Sequence, residues 1–109
     1  MDAPLVLYLD GEPCLEAGRG GVPGQLRGLF ARLDADMDQG IEIDGVRVPT
    51  PDGIQRGRYV LGRLLAALAG GEREFAHTLL IYIALNWPDL RAVRVDSGAE
   101  DWAVELEFR

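Results

Sequence analysis

Lysine is absent from the 109-residue chain, and cysteine, histidine and serine each occur once, as Cys14, His77 and Ser97. A single cysteine excludes an internal disulfide and fits a reducing compartment. One thiol and one imidazole are too few ligands for a structural zinc site. No G-x-S-x-G motif surrounds Ser97, so a serine triad has no support. We therefore expect a protein without catalytic residues and without a cofactor.

Long hydrophobic runs are also missing. The longest, LLIYIAL at residues 79–85, is far shorter than the roughly 20 residues that span a bilayer. The opening residues, MDAPLVLYLDG, lack the basic segment that begins a signal peptide. These two observations predict no membrane helix and no export, and hence a cytoplasmic location.

Positive charge is scarce, because eleven arginines face eighteen acidic residues and give a net charge of -7. Such a field repels nucleic-acid phosphates, so we expect no nucleic-acid partner and favour a basic or neutral protein partner. A basic set made only of arginine is typical of a GC-rich, bacterial genome. Apolar residues make up 48% of the chain, which is enough for one hydrophobic core and predicts a single domain over residues 1–109.

In the first half of the chain, hydrophobic patterning predicts one strand, one helix and a short hairpin. The strand covers residues 4–9 and ends at Asp10-Gly11, a dipeptide suited to a tight turn. Two prolines and four glycines between Glu12 and Gly24 predict a loop. The helix is expected over residues 23–37, and the hairpin over residues 41–48 around Asp44-Gly45.

The second half predicts two helices and a terminal hairpin. Thr50-Pro51-Asp52 is a helix-start signal for a helix that extends to Ala69, and a further helix is expected over residues 72–86. Alternating residues at 90–96 and 102–108 predict the two hairpin strands. The element order indicates an α+β fold, with three helices packed on one face of a small, largely antiparallel sheet.

Three alternating carboxylates, Asp34, Asp36 and Asp38, are candidate metal ligands, because calcium and magnesium prefer such oxygen donors. The segment departs from the calcium loop of an EF-hand, since Gln39 and Gly45 stand where glycine and glutamate are required. A divalent-metal-binding protein or metal-dependent enzyme is therefore the alternative hypothesis, and solvation of a helix end is the other explanation of the cluster.

Positive charge is densest at Arg56, Arg58 and Arg63 on the second predicted helix. These arginines are candidates for binding an anion or an acidic segment of a partner, although arginines in such a pattern more often pair with local acids or form a solvated face. The glycine-rich loop before the first helix also offers Arg19 as an anion ligand.

The third predicted helix is apolar on all sides over residues 79–85. Such a helix needs cover from a sheet and a helix of the same chain, or from another subunit. The second explanation makes Leu79, Ile81 and Leu85 candidate interface residues of a homodimer, and the terminal strand is the other candidate surface because an edge strand invites pairing. The leading hypothesis is therefore a non-catalytic protein-interaction or regulatory module that acts as a homodimer. An acidic regulator that occupies another protein's basic site is a third hypothesis.

Overall fold

The computed structural model describes residues 3–21, 23–43, 45–98 and 102–109. In these residues the fold contains six strands and three α-helices, and this confirms the predicted α+β class. The elements in chain order are β1 (Leu5–Leu9), β2 (Glu12–Ala17), α1 (Arg27–Asp38), β3 (Ile41–Ile43), β4 (Val46–Val48), α2 (Gly53–Ala69), α3 (Arg73–Asn86), β5 (Leu90–Asp96) and β6 (Ala103–Phe108).

Four strands form the main sheet in the order β2-β1-β5-β6, and β3 and β4 form a separate hairpin. The outer pairs are antiparallel, and β5–β6 is the predicted terminal hairpin, but the central strands β1 and β5 run parallel. The sheet is thus mixed. A parallel pair requires a long crossover connection, which the helices between β1 and β5 provide.

Strand β2 occupies the first part of the segment predicted to be a loop, so that prediction was wrong for Glu12–Ala17. Proline is tolerated on an edge strand because it removes no hydrogen bond that the sheet needs there. Pro13 lies on such a strand, and a register shift follows between Leu7 and Tyr8 of β1. The turn before β2 is the predicted Asp10-Gly11, whose φ angles are 53° and 87°.

The two faces of the main sheet differ in character. One face carries the row Leu7, Val93 and Leu106, which the strand register places side by side, and Leu7 and Val93 are fully buried. The opposite face carries Tyr8 beside Arg94, whose guanidinium carbon lies 4.5 Å from the centre of the tyrosine ring. The first face therefore belongs to the hydrophobic core, and we call it the apolar face.

Helix α2 begins where the sequence predicts. The Asp52 carboxylate accepts a hydrogen bond from the backbone N–H of Gln55 at 2.8 Å, and the Gln55 side chain accepts one from the backbone N–H of Asp52 at 2.9 Å. This reciprocal capping box satisfies two donors at the start of the helix. Helices α1 and α3 and the β3–β4 hairpin also lie at their predicted places, although Asp44 of the hairpin turn is outside the described residues.

Helix α3 is central to the core, where it packs against α2 and β2. This packing accounts for its uniform apolar character, because five of the seven residues in 79–85 are buried by the chain itself. Across the described ranges, no helix combines the length and apolar character that crossing a membrane requires.

Candidate functional site

The β2 edge of the sheet is occupied by side chains of α3. Arg73 donates a hydrogen bond to the carbonyl oxygen of Cys14 at 2.6 Å, and His77 Nε2 donates one to the carbonyl oxygen of Glu16 at 2.8 Å. The two donors are four residues apart on one face of the helix, which lets them reach alternate carbonyls of one strand. With Pro13 also on this strand, the β2 edge offers few groups to a further strand.

The β6 edge differs, because a groove runs beside it between α2 and the apolar face of the strand. One part of the groove has a volume of about 410 Å³ and continues through Arg58 and Leu106 into a second part of about 330 Å³. We call both parts together the β6 groove. Its lining residues are Ile43, Ile54, Arg58, Leu61, Gly62, Leu65, Asn86, Trp87, Pro88, Asp89, Val104, Leu106 and Phe108.

Two large apolar side chains stand at one end of this groove and remain in contact with solvent. Ile54 at the start of α2 is 64% exposed, and Phe108 at the end of β6 is 51% exposed. Single exposed apolar residues are common on proteins, but two that flank one concavity form a binding surface of the kind that interfaces use. Arg58 and Asp89 place charge at the same end.

Trp87 separates the groove from the core. Its side chain is 7% exposed, and its ring centre lies 6.1 Å from that of Phe108. The other side of the indole lies against Gly57 of α2, where an added Cβ would come within 2.5 Å of the ring. Only glycine therefore allows this close approach. Trp87 Nε1 is buried without a hydrogen-bond partner among the described residues, which costs free energy.

The predicted metal ligands have other partners. Asp34 accepts a hydrogen bond from the Tyr82 hydroxyl at 2.5 Å, and Arg56 forms ion pairs with both Asp34 and Asp38. Asp34 and Asp38 are four residues apart on helix α1, whereas the intervening Asp36 belongs to another face. Within the described ranges, no three His, Cys, Asp or Glu side chains are placed to hold a metal ion. Metal binding here stays a prediction, and Arg56 would compete with the metal.

The Asp34–Arg56–Tyr82 cluster has a structural role. Burial raises the pKa of Tyr82 above its ordinary value of 10.0, and the hydrogen bond to Asp34 adds to this effect. The carboxylate of Asp38 beside the guanidinium raises the pKa of Arg56. Arg56 also donates to the carbonyl oxygen of Pro51 at 3.3 Å. These contacts fasten α1 to α2 and α3.

The three candidate arginines do not act as one group. Arg56 is held in the cluster with Asp34 and Asp38, and Arg58 lines the β6 groove. Arg63 is exposed on α2. Of the three, Arg58 is the one that the structure places at a concave apolar surface.

The candidate interface residues on α3 lie inward to different degrees. Leu79 is fully buried, whereas Ile81 and Leu85 are half-buried against the core. The apolar run thus has its cover within one chain. A homodimer stays a prediction, and the exposed apolar residues at the β6 groove offer it a more accessible surface.

Arg19, a candidate anion ligand, binds backbone carbonyl groups instead. Its guanidinium donates to the carbonyl oxygens of Ala84 at 2.9 Å and Ala3 at 3.0 Å, and also to that of Leu90. Ala84 lies in the last turn of α3, where a positive charge is favourable. Arg19 therefore joins the segment after β2 to the end of α3 and the start of β5.

Ser97 and Asp10 form a contact of their own at the opposite end of β5. The Ser97 hydroxyl and backbone N–H donate to the two carboxylate oxygens of Asp10 at 2.5 and 2.8 Å. These hydrogen bonds lower the pKa of Asp10 below its ordinary value of 3.8. A concavity of about 600 Å³ lies beside them, and its Arg94 is paired with Glu107 at 3.1 Å. Two of its charged groups, Asp10 and Arg94, thus already have partners.

Comparisons with protein-family models, with curated proteins and with solved structures found no match to this chain. The function must therefore be inferred from the site itself.

Sequence reasoning named the terminal strand as a candidate interaction surface but missed the β6 groove beside it. The alternation in residues 102–108 placed Leu106 and Phe108 on one face of a strand. The signal that Phe108 lies beside Ile54 is absent from the sequence, because the two residues are far apart along the chain and meet only through the fold.

Proposed function

We propose that this protein is a non-catalytic protein-interaction module that binds a partner polypeptide in the β6 groove. The observation that carries the proposal is the pairing of an edge strand with an apolar groove whose end residues, Ile54 and Phe108, are more than half exposed. Extended segments bind other domains in this way, with main-chain hydrogen bonds to a sheet edge and side chains in adjacent pockets.

Several further features support the proposal. The residue types of the groove suit a hot spot, since Trp87 and Phe108 are aromatic and Arg58 is the basic residue that interfaces favour. The side chains that could act as nucleophile or base have other contacts: Ser97 donates to Asp10 and His77 donates to the carbonyl oxygen of Glu16. Cys14 is partly buried. These contacts favour a non-catalytic role.

The proposal keeps the predicted domain organisation, cellular location and helix packing. It treats residues 1–109 as one domain in the cytoplasm, with the three helices on the apolar face of the sheet. Burial of Leu5, Leu7 and Val95 supports that arrangement, because these strand residues need cover on one side. A homodimer is one form of the proposal, in which a second copy fills the β6 groove.

Peptides selected from a random display library test the proposal. Selected peptides should bind Ile54→Glu at least about tenfold more weakly, because the substitution places a charge where an apolar side chain docks. Val46→Glu is the matched control, since Val46 on β4 is also 64% exposed but does not line the groove. Peptides that bind both variants equally would contradict the proposal.

Light scattering on the same variants tests the homodimeric form. A dimer that is lost in Ile54→Glu and kept in Val46→Glu would show that a second copy fills the groove. A dimer that survives both substitutions would place the self-association elsewhere.

A further inference from the structure

We propose that the β6 groove receives an extended strand of another protein in which apolar residues alternate with arginine or lysine. This inference rests on the proposed function and names the chemistry of the partner. The apolar residues of that strand enter the groove, and its basic residues lie on the opposite face of the sheet, where Glu105 is exposed.

Side chains of α2 and of β6 line the groove from its two sides. Ile54, Arg58, Leu61 and Leu65 of α2 share one side of that helix at spacings of three and four residues. All four line the groove, which lies along the last strand of the sheet. The apolar residues of a fifth strand paired with β6 would face this row of α2 side chains and contact them.

The two faces of β6 determine which residue types must alternate in the partner strand. Val104, Leu106 and Phe108 belong to the groove side, and Glu105 and Glu107 point to the other side because successive residues of a strand face opposite ways. Residues directly opposite on neighbouring strands lie about 5 Å apart, so their charges interact. A partner with period-two alternation would therefore place a basic side chain beside the exposed Glu105, whereas Glu107 is already paired with Arg94.

The charges on β6 favour a basic partner strand over a second copy of this chain. Two β6 strands paired antiparallel about a centre at Glu105 or at Leu106 place Glu105 opposite Glu105 or Glu107 of the second copy. Like charges placed directly opposite destabilise a strand pair. Arg94 is already paired with Glu107 within its own chain, whereas Glu105 is exposed. The net charge of -7 also favours a basic partner over a second acidic chain.

Three synthetic peptides of about nine residues, the length of a long strand, test the inference. The first alternates valine with arginine or lysine, the second replaces each basic residue by glutamate, and the third groups the basic residues of the first in one block. Fluorescence anisotropy measures affinity, and backbone amide shifts locate the bound peptide. The alternating basic peptide should bind at β6 at least about tenfold more tightly than either control.

A charge reversal on the protein provides the second arm. Glu105→Arg should weaken binding of the alternating basic peptide by about fivefold and strengthen binding of the acidic one. The matched control is Glu12→Arg, because Glu12 is an exposed glutamate on the β2 edge. It should leave both affinities unchanged apart from a small uniform effect of net charge.

Two outcomes would overturn the inference. Failure of the alternating basic peptide to bind, or equal binding of the acidic peptide, would remove the basic partner. Self-association that Ile54→Glu abolishes would make a second copy the occupant. In each case, display peptides whose binding still depends on Ile54 would leave the proposed interaction function standing.

Discussion

The two outer strands of the sheet terminate it in opposite ways. At β2, Arg73 and His77 of α3 donate to two strand carbonyls, and the strand contains Pro13. At β6, the neighbouring concavity is apolar and holds the exposed side chains of Ile54 and Phe108. One edge is covered by the chain's own helix, and the other is bordered by a groove that a partner could fill.

An unprotected strand edge promotes aggregation, and proteins usually block it with proline, charge or a covering element. Of these features, a proline and a neighbouring helix are found at β2, whereas a register shift occurs in both outer strand pairs. The glutamates of β6 discourage pairing between like strands but do not fill the groove. The difference between the edges supports the proposal that β6 binds a partner.

The largest loss of stability is expected from Gly57→Ala, which would displace Trp87 and so distort the β6 groove but not the β2 edge. The new Cβ would lie 2.5 Å from the Trp87 ring, so the indole must move. We expect the free energy of unfolding to fall by about 2 kcal/mol, as for other overpacked sites, and the groove to lose its shape. Urea denaturation monitored by tryptophan fluorescence measures the first effect.

The matched control is Gly62→Ala on the same helix, where an added Cβ meets nothing within 4 Å. Alanine has the higher helix propensity, so this variant should gain up to about 1 kcal/mol. Equal stabilities for the two variants would show that Gly57 and Trp87 are not in close contact.

The next largest effect on stability is expected from Arg19→Met, which removes the link between the end of α3 and the start of β5. The substitution keeps most of the side-chain length but leaves the carbonyl groups of Ala84 and Leu90 without their donor. Unsatisfied carbonyls cost free energy, so we expect a loss of about 1.5 kcal/mol. Chemical denaturation gives the value, and unchanged stability would contradict the role assigned to Arg19.

A third prediction concerns Tyr82 on α3, which lies outside both edge strands of the sheet. Because its pKa is raised on folding, this tyrosine contributes stability that is complete below its ordinary value of 10.0 and is lost as pH rises from there toward the higher folded value. Tyr82→Phe should cost about 1 kcal/mol near neutral pH and reduce the alkaline loss. Thermal unfolding from pH 8 to 11 measures both changes. An alkaline loss that is identical in the variant would assign the effect to other groups.

The smallest change in stability is expected when the β2 edge is opened. The double variant Arg73→Ala, His77→Ala removes two solvent-exposed donors, so we expect each substitution to cost only about 0.5 kcal/mol. The uncovered carbonyls should nevertheless allow self-association, which light scattering would detect as a rise in molar mass. A variant that stays in the parent's association state would show that these side chains do not protect the edge.

Local patterns in the sequence predicted most of the elements. Alternation in residues 102–108 and the capping signal at Asp52 depend on neighbouring residues, and both were recovered. Strand β2 was missed because Pro13 and the nearby glycines outweigh a short alternation that ends at Leu15 and Ala17. The parallel pairing of β1 with β5 depends on long-range packing, which no local pattern encodes.

The site was less predictable than the fold. Asp34 and Asp38 were recognised as a carboxylate cluster, but their partners Arg56 and Tyr82 come from other helices. Arg58 was singled out for its charge, whereas the apolar wall beside it is assembled from α2, the end of α3 and β6. Sites built from distant segments require the tertiary structure.

The most direct test of the account is an NMR titration of the protein with the alternating basic peptide, in which backbone amide shifts are compared between the two edges. The account predicts that the largest shifts fall on residues 103–108 of β6 and 54–65 of α2, and that β2 residues 12–17 stay unchanged. Shifts centred on β2, or spread evenly over both edges, would contradict it.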